Sequence, residues 1–176
     1  MKFILHIISS LSPLILFFGG FIYSLFTQNP FGYYFSLVIL LLGEGCGRFL
    51  KLFFQTTFPD SKWMERPDPN APCTFFLTKH SSPSWGFPSG HSLTNSLGLT
   101  LISLYVWAQA HIPLDKSIFI TLISIFFMIY VGWSRITLGC HNIYQVTGGI
   151  LFGILLGIYS FYLYENIKNL DSEYVK

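Results

Sequence analysis

Long apolar stretches dominate this sequence and restrict the folds that it can adopt. Of its 176 residues, 52% are hydrophobic and only 10% are charged, which is too apolar for a soluble domain with one core. A helix needs about 20 mostly apolar residues to cross a bilayer, and five stretches meet this requirement. The sequence therefore predicts an all-α, polytopic membrane helical bundle with about five transmembrane helices, at residues 3–26, 33–54, 93–110, 117–133 and 143–164.

We expect residues 1–176 to form a single membrane-embedded domain. The first stretch is expected to remain as a helix rather than to be removed as a signal peptide, because its apolar run is long and no small-residue cleavage site follows. The one long polar stretch, residues 55–88, contains six of the nine prolines and several aromatic residues. Such loops are often functional, and its aromatic side chains favour a position at the membrane interface.

Five alternating crossings place this loop, the connection after the fourth span and the N-terminus at one membrane face. Polar side chains that are distant in the sequence then gather at that end of the bundle, whereas the opposite face keeps little beyond Asp115 and Lys116. A one-ended cluster of cations and histidines indicates a functional site. Its members are Lys51, Arg66, Ser89, His91, Arg135 and His141.

The stretch "WSRITLGCHNIYQVTGG" contains a histidine with a partner one turn away. Gln145 lies four residues after His141, so both side chains share one face of a helix. The amide oxygen of Gln145 is therefore expected to hold one ring nitrogen, which fixes the tautomer and presents the other nitrogen to a reacting atom.

The stretch "GFPSGHSLTN" has the residue types of an anion site. Ser89 and Gly90 precede His91 at the start of a span, where unpaired N–H groups and the helix dipole favour negative charge. Arg66 and Arg135 add guanidinium groups, which match phosphate oxygens better than lysine does. These residues together predict a phosphate-binding site.

These motifs closely resemble the three signature motifs of the phosphatidic acid phosphatase type 2 superfamily. The matching segments are "RP" at 66–67, "PSGH" at 88–91, and "SR" at 134–135 followed after five residues by His141. The order of the motifs and their membrane placement also match, over roughly residues 45–160.

The resemblance implies a metal-independent phosphatase without a cofactor, whose substrate is a membrane lipid phosphate or diphosphate and whose site faces the lumen or the exterior. His141 would attack phosphorus and form a phosphohistidine, with Gln145 orienting it. His91 would protonate the leaving oxygen and then activate water. The phosphate oxygens would be held by Arg66, Ser89, Gly90, Arg135 and Lys51.

The sequence departs from the family pattern at two positions. The first motif of the family has a lysine seven residues before the arginine of Arg-Pro, but position 59 is proline here. Lys51, at the end of the second span, and Lys62, in the loop, are the candidates. We prefer Lys51 because the family lysine usually ends a transmembrane helix. The second departure is Gln145, where the commoner pattern has aspartate.

The glutamine at position 145 bears on the substrate. A neutral amide orients a histidine but does not stabilise its positive charge as a carboxylate does. Dolichyl diphosphate phosphatases and glucose-6-phosphatases are similar in having glutamine there, often followed by valine, as in "HNIYQV". The chain is short for a glucose-6-phosphatase, so the third motif is closest to dolichyl diphosphate phosphatases. It favours a polyisoprenyl diphosphate over phosphatidate or a sphingolipid phosphate.

Two other interpretations stay open. A non-catalytic lipid-binding or scaffold relative would also fit the glutamine and the displaced lysine. Cys73 and Cys140 lie at the same face as His91 and His141 and would offer a zinc site, although their spacing fits no usual zinc pattern. The odd number of cysteines implies no disulfide framework.

Two further patterns lie within the spans. Glu44 and Arg48 have i,i+4 spacing in the second span, where ionisable residues are functional candidates by default, although the two side chains would also suit a mutual ion pair. Three glycines recur every four residues in the fifth span, a pattern that lets transmembrane helices approach closely. We expect them to serve packing within the bundle first and a dimer second: Gly149, Gly153 and Gly157.

Overall fold

The computed structural model describes residues 2–68, 71, 73 and 85–174, and the side chains of 6–68, 71, 73 and 85–170. The regular elements within these residues are helical, and one isolated bridge joins Glu65 to Trp85. The helices are α1 (Lys2–Thr27), α2 (Pro30–Val38), a π-helical segment (Ile39–Cys46), α3 (Gly47–Thr57), α4 (Gly90–Ala108), α5 (Leu114–Thr137) and α6 (Ile143–Tyr174), with a 3₁₀ turn at Lys62–Met64.

Helix α2, the π segment and α3 form one continuous rod, because the residues at both junctions keep right-handed helical backbone angles. The described helices therefore make five long rods, and each predicted span overlaps one of them. Helix α3 continues to Thr57, so the long loop begins three residues later than the predicted start at position 55. The predicted all-helical membrane fold is confirmed.

Three of the described helices are each long and apolar enough to cross a membrane by length and composition: His6–Thr27, Leu114–Thr137 and Ile143–Leu170. Helix α4 is not among them, since Ser, Thr and Asn side chains occupy its first half. These polar side chains are buried inside the bundle rather than turned to lipid. The protein is thus an integral membrane protein with a polar helix at its centre.

Helix α4 packs mainly against α6, and the contact depends on glycine. A Cβ atom at Gly149, Gly153 or Gly157 would overlap the backbone carbonyl oxygens of Ser89, Leu93 and Leu97, respectively. The three glycines therefore form the seam between α6 and α4, as expected for packing within the bundle. Because the seam runs along the start of α4, it fixes the depth of the residues around Ser89.

Aromatic side chains close the end of the bundle where α2 begins. The ring of Phe31 stacks on Tyr105, with 3.6 Å between centroids, and Tyr164 meets it edge-on at 5.2 Å. Phe35 and Leu101 complete this core. The packed apolar core thus leaves the other end of the bundle to the polar cluster.

A disulfide bond joins Cys73 to Cys140, with 5.5 Å between their Cα atoms. The prediction that no disulfide is implied was therefore wrong. Parity of the cysteine count does not exclude one bond and one remaining thiol, which here is Cys46. The bond ties the long loop to the connection between α5 and α6, across 67 residues of sequence.

Substitution of Gly153 by alanine is expected to lower the stability of the protein. The added methyl would overlap the Leu93 carbonyl oxygen and the Ser96 hydroxyl, and overpacking of this kind costs about 1–3 kcal/mol. Gly19→Ala is the matched control, because a Cβ at Gly19 meets no atom within 4 Å. Thermal unfolding in detergent should show a lower Tm for Gly153→Ala alone, and equal Tm values for the two variants would contradict the seam.

Candidate active site

The residues predicted to form a site surround one cavity, at the end of the bundle where α3 and α5 end and α4 and α6 begin. Its volume is about 180 Å³. Six of the eight predicted residues line it, and Ser89 and Gln145 lie behind it. The six are Lys51, Arg66, Gly90, His91, Arg135 and His141.

A tight loop after α5 brings Arg135 and His141 together. The backbone N–H groups of Cys140 and His141 both donate to the carbonyl oxygen of Arg135, at 3.0 and 3.3 Å. Gly139 has a φ of +77°, a left-handed conformation that glycine adopts without steric cost. The five residues between Arg135 and His141 therefore form the end of α5 and the turn that caps it.

Gln145 holds His141 from behind. Its Oε1 lies 3.0 Å from Nδ1 of His141, and its Nε2 donates to the carbonyl oxygens of Trp63 at 3.0 Å and Glu65 at 2.7 Å. These two carbonyl partners fix the orientation of the amide, so Oε1 acts as an acceptor toward the ring. His141 accordingly carries its hydrogen on Nδ1, which leaves the lone pair on Nε2.

The same glutamine aligns three segments of the chain. Its backbone N–H donates to Oδ1 of Asn142 at 3.0 Å, which caps the start of α6. Its carbonyl oxygen accepts from the N–H of Ser89 at 2.9 Å. Gly86 lies against the amide so closely that a Cβ atom there would overlap it. The 3₁₀ turn, the approach to α4 and the start of α6 are thus held at one residue.

His141 is only 3% exposed, and burial lowers the pKa of its ring well below the usual range. The charges of Lys51, Arg135 and Arg66 lower this pKa further. The hydrogen bond to Gln145 acts in the opposite direction but is outweighed. The ring is therefore neutral at physiological pH, the form with a lone pair available for attack.

Two buried arginine nitrogens are candidates for binding an anion. Arg135 is fully buried; its Nη1 donates to Ser9 Oγ at 3.3 Å and its Nη2 to the carbonyl oxygen of Cys73 at 2.5 Å. The Nε groups of Arg66 and Arg135 have no hydrogen-bond partner among the described residues. Buried donors are nearly always paired, so these N–H groups in a cationic cavity are suited to an anion.

The two candidate lysines differ in position. Lys51 lies in the middle of α3 and lines the cavity together with Arg66. Lys62 is exposed on the 3₁₀ turn and is not part of the cavity wall. The geometry therefore favours Lys51 as the lysine of the first motif.

Ser89 is placed differently from the predicted phosphate contact. Its N–H donates to Gln145, its hydroxyl accepts from Ser92 Oγ at 3.0 Å, and the residue is fully buried. Gly90, the first residue of α4, lines the cavity instead. The role of Ser89 in contacting phosphate stays a prediction, while its observed contacts position the start of α4.

Helix α1 contributes contacts that the sequence analysis missed. The ring of His91 donates a hydrogen bond to the backbone carbonyl of Ser10, and Nδ2 of Asn95 donates to Ser12 Oγ and to the carbonyl oxygen of His91, both at 2.8 Å. Ser9 contacts Arg135 as described above. The signal in the sequence is the polar run "SSLS" at 9–12, inside an otherwise apolar span.

The disulfide excludes the zinc interpretation that used Cys73 and Cys140. Their sulfur atoms are bonded to each other, whereas zinc is bound by thiolates. The bond instead places the carbonyl oxygen of Cys73 on the Arg135 guanidinium, next to His141. The two cysteines thus brace the cavity.

Glu44 and Arg48 also line the cavity. They do not form the ion pair that their spacing would allow, since the one ion pair among the described residues joins Lys168 to Glu165. Both side chains are exposed, in the membrane-spanning part of the second rod.

Known proteins resemble this chain in sequence and in structure. The sequence profile of the PAP2 superfamily matches residues 32–169. Phosphatidylglycerophosphatase B of Bacillus subtilis (strain 168) is 31% identical over 123 residues, which are 68% of this chain and 53% of that protein. The chain thus spans about half the length of this curated relative.

A solved structure has the same fold. The crystal structure of a transmembrane PAP2 type phosphatidylglycerolphosphate phosphatase from Bacillus subtilis matches with a TM-score of 0.62 and 23% sequence identity, over 94% of this chain and 76% of that one. This likeness extends the match to α1, which precedes the segment matched by the superfamily profile.

The tautomer and pKa of His141 can be measured directly. In ¹⁵N NMR spectra assigned with His141→Ala, the ring should be neutral with its hydrogen on Nδ1 at pH 6.5, where an ordinary histidine is half protonated. Gln145→Glu should raise the pKa, because a negative charge beside Nδ1 stabilises the imidazolium. Gln109→Glu, at the far end of α4, is the control. A wild-type His141 that titrates near 6.5 would contradict the burial argument.

Proposed function

The chain belongs to the PAP2 superfamily, and from this we propose that residues 1–176 act as one membrane-embedded phosphatase domain that hydrolyses a lipid phosphate or diphosphate. The observation that carries the proposal is the pairing of His141 with Gln145 at 3.0 Å. It leaves Nε2 of a neutral imidazole as a nucleophile in a cavity lined by cations. A phosphate group is the ligand whose charge and reactivity fit both features.

In the proposed first step, Nε2 of His141 attacks phosphorus as the bond from phosphorus to the leaving oxygen breaks. Arg66, Arg135, Lys51 and the N–H of Gly90 hold the other oxygens, where preorganised donors stabilise the developing charge. His91, which is protonated once the negative charge of the bound phosphate offsets the neighbouring cations, gives its proton to the leaving oxygen. The products are a phosphohistidine and the dephosphorylated lipid.

In the second step, water attacks the phosphorus of the phosphohistidine and the P–N bond breaks. His91 accepts the proton of that water, and inorganic phosphate leaves. The hydrogen bond from the ring of His91 to the Ser10 carbonyl oxygen orients the ring for both proton transfers. No metal ion or cofactor takes part in the proposed reaction.

An amide at position 145 is compatible with this chemistry. The imidazolium character that develops on His141 is compensated by the phosphoryl oxygens, and those oxygens are in turn held by the surrounding cations. Gln145 then has one task, which is to fix the tautomer. A carboxylate would add charge stabilisation but would also raise the pKa of His141.

Three lipid classes are candidate substrates. The glutamine of the third motif favours a polyisoprenyl diphosphate, whereas the 31% identical relative is a phosphatidylglycerophosphatase. Phosphatidate is an alternative substrate. The alternative function is that of a non-catalytic relative that binds lipid without cleaving it. A panel of these lipids separates the candidates.

Loss of the nucleophile should abolish turnover. With purified protein in detergent and a chelator present, His141→Ala should reduce phosphate release by about three orders of magnitude or more, while His111→Ala, at the opposite end of the bundle, should match the wild type. Acid-labile phosphate on the protein should also disappear in His141→Ala.

Two results would reject the enzymatic proposal. Folded wild-type protein that releases phosphate from none of the lipids would favour the non-catalytic relative. Phosphate release that survives in His141→Ala would remove the proposed nucleophile.

The proposed site faces the lumen or the exterior. The disulfide between Cys73 and Cys140 supports this orientation, since disulfides persist in oxidising compartments and are rare on the cytosolic side. The basic residues near the two faces are nearly balanced in number, so the positive-inside rule adds little.

Labelling of introduced cysteines tests the orientation. In a Cys46→Ser background, Lys62→Cys on the site face should react with a membrane-impermeant maleimide in intact cells. Lys116→Cys, at the start of α5 on the other face, should react only after the membrane is opened. The reverse pattern would place the site on the cytosolic side.

A further inference from the structure

A second cavity joins the candidate active site from the side. It has a volume of about 470 Å³ and lies between α1 and the π segment. Its walls are mainly apolar, with Leu14, Phe17 and Phe18 on α1 facing Ile39 and Leu40 on the π segment. We refer to it as the lateral groove.

The lateral groove is open toward the bilayer. Leu14, Phe18 and Leu40 are 46%, 53% and 51% exposed, and they lie in the part of the bundle that spans the membrane. An apolar channel at this depth suits a lipid tail.

Three residues belong to both the lateral groove and the active-site cavity: Glu44, Arg48 and His91. The two spaces therefore meet at a charged junction. A ligand whose phosphate lies at His141 and whose tail lies in the groove must pass Arg48 and Glu44.

Arg48 is a cation without an ion-pair or hydrogen-bond partner among the described residues. Lys51 lies three residues later on the same face of α3, so Arg48 sits about 4.5 Å deeper along the helix axis. Ionisable side chains within membrane-spanning segments that face a cavity are functional candidates by default, and Arg48 lines both cavities. Its planar guanidinium suits phosphate oxygens.

Glu44 lies one turn deeper again, at the end of the π segment. A carboxylate at that point repels a further anionic group. The charges along the rod thus run from cation at Lys51 and Arg48 to anion at Glu44, and then to apolar residues. This order fits a ligand with two neighbouring anionic groups followed by a neutral tail.

From this junction we propose that Arg48 binds a second phosphate, one that stays on the product, and that the lateral groove holds the tail beyond it. The inference rests on the proposed function and names its substrate class as lipids with two phosphate groups. A polyprenyl diphosphate carries the second phosphate directly, and phosphatidylglycerophosphate carries it across a glycerol. Phosphatidate and a polyprenyl monophosphate lack it.

The test compares kcat/KM for these four lipids in the wild type, Arg48→Ala, Arg48→Lys and the control Lys116→Ala. Arg48→Ala should lower the ratio of two-phosphate to one-phosphate lipids about ten- to a hundredfold, mainly through KM, as expected for a lost charge-assisted hydrogen bond. The ratio for Arg48→Lys should lie between those of the wild type and Arg48→Ala, and Lys116→Ala should keep the wild-type ratio. The lipid with the larger loss identifies which two-phosphate class the junction fits.

The groove itself is tested with Leu14→Trp, which fills it. This variant should raise KM for all four long-tailed lipids far more than for para-nitrophenyl phosphate, which has no tail. Leu122→Trp, on the exposed face of α5, should leave the KM values of all five substrates at the wild-type level. If Arg48→Ala lowers kcat/KM equally for all four lipids, or does not lower it at all, the ratio of two-phosphate to one-phosphate lipids is unchanged. That result would overturn the second phosphate site while the proposed phosphatase stands. Wild-type protein inactive on every lipid would instead reject the proposed function and this inference with it.

Discussion

The side chain of Gln145 is the contact on which the rest of the site depends. Its oxygen meets Nδ1 of His141 and its nitrogen donates to two carbonyl oxygens around the 3₁₀ turn. A group with both an acceptor and two donors is needed to join a histidine to two backbone carbonyls, which a carboxylate would repel. The glutamine therefore explains why the loop before Arg66 lies where it does, as well as the tautomer of the ring.

The cavity is held from behind by parts of the chain that do not touch the ligand directly. Helix α1 supplies serine hydroxyls and one carbonyl oxygen to Arg135, His91 and Asn95. The disulfide presents the Cys73 carbonyl to Arg135. Because the contacts to Arg135 and His91 each occupy a donor of that side chain, the donors that remain for a ligand point in a limited set of directions. The cavity is thereby organised before a phosphate binds.

Sequence reasoning succeeded where the pattern is local. Apolar stretches of sufficient length identified the helical rods, and i,i+4 spacing identified the pairing of His141 with Gln145. It failed where the decisive contact is distant in the sequence. The disulfide joins positions 67 residues apart, and nothing in the spacing of the cysteines favours one pairing. The role of the serines on α1 depends likewise on which helix packs beside it.

Two further differences arise from helix geometry. The π segment is not visible as a pattern, since a run of leucines and glycines fits an α-helix equally well, yet it widens the second rod where Glu44 lies. Ser89 occupies the position in the second motif that predicts a contact with phosphate, but its N–H group donates to the carbonyl oxygen of Gln145 instead. Such competition between backbone partners is decided by packing rather than by residue type.

The polar first half of α4 has a consequence for how the protein is made. A helix with buried Ser92, Thr94, Asn95 and Ser96 gains little from contact with lipid, and its partner α6 is synthesised some fifty residues later. During translation we therefore expect α4 to remain in a polar or protein-lined environment, such as the insertion machinery or the surface of α1, until α6 and its three glycines have been synthesised and can pack against it. Assembly of the catalytic end is thus coupled to completion of the last helix, and a chain stopped before α6 would leave His91 on a helix unsuited to the bilayer.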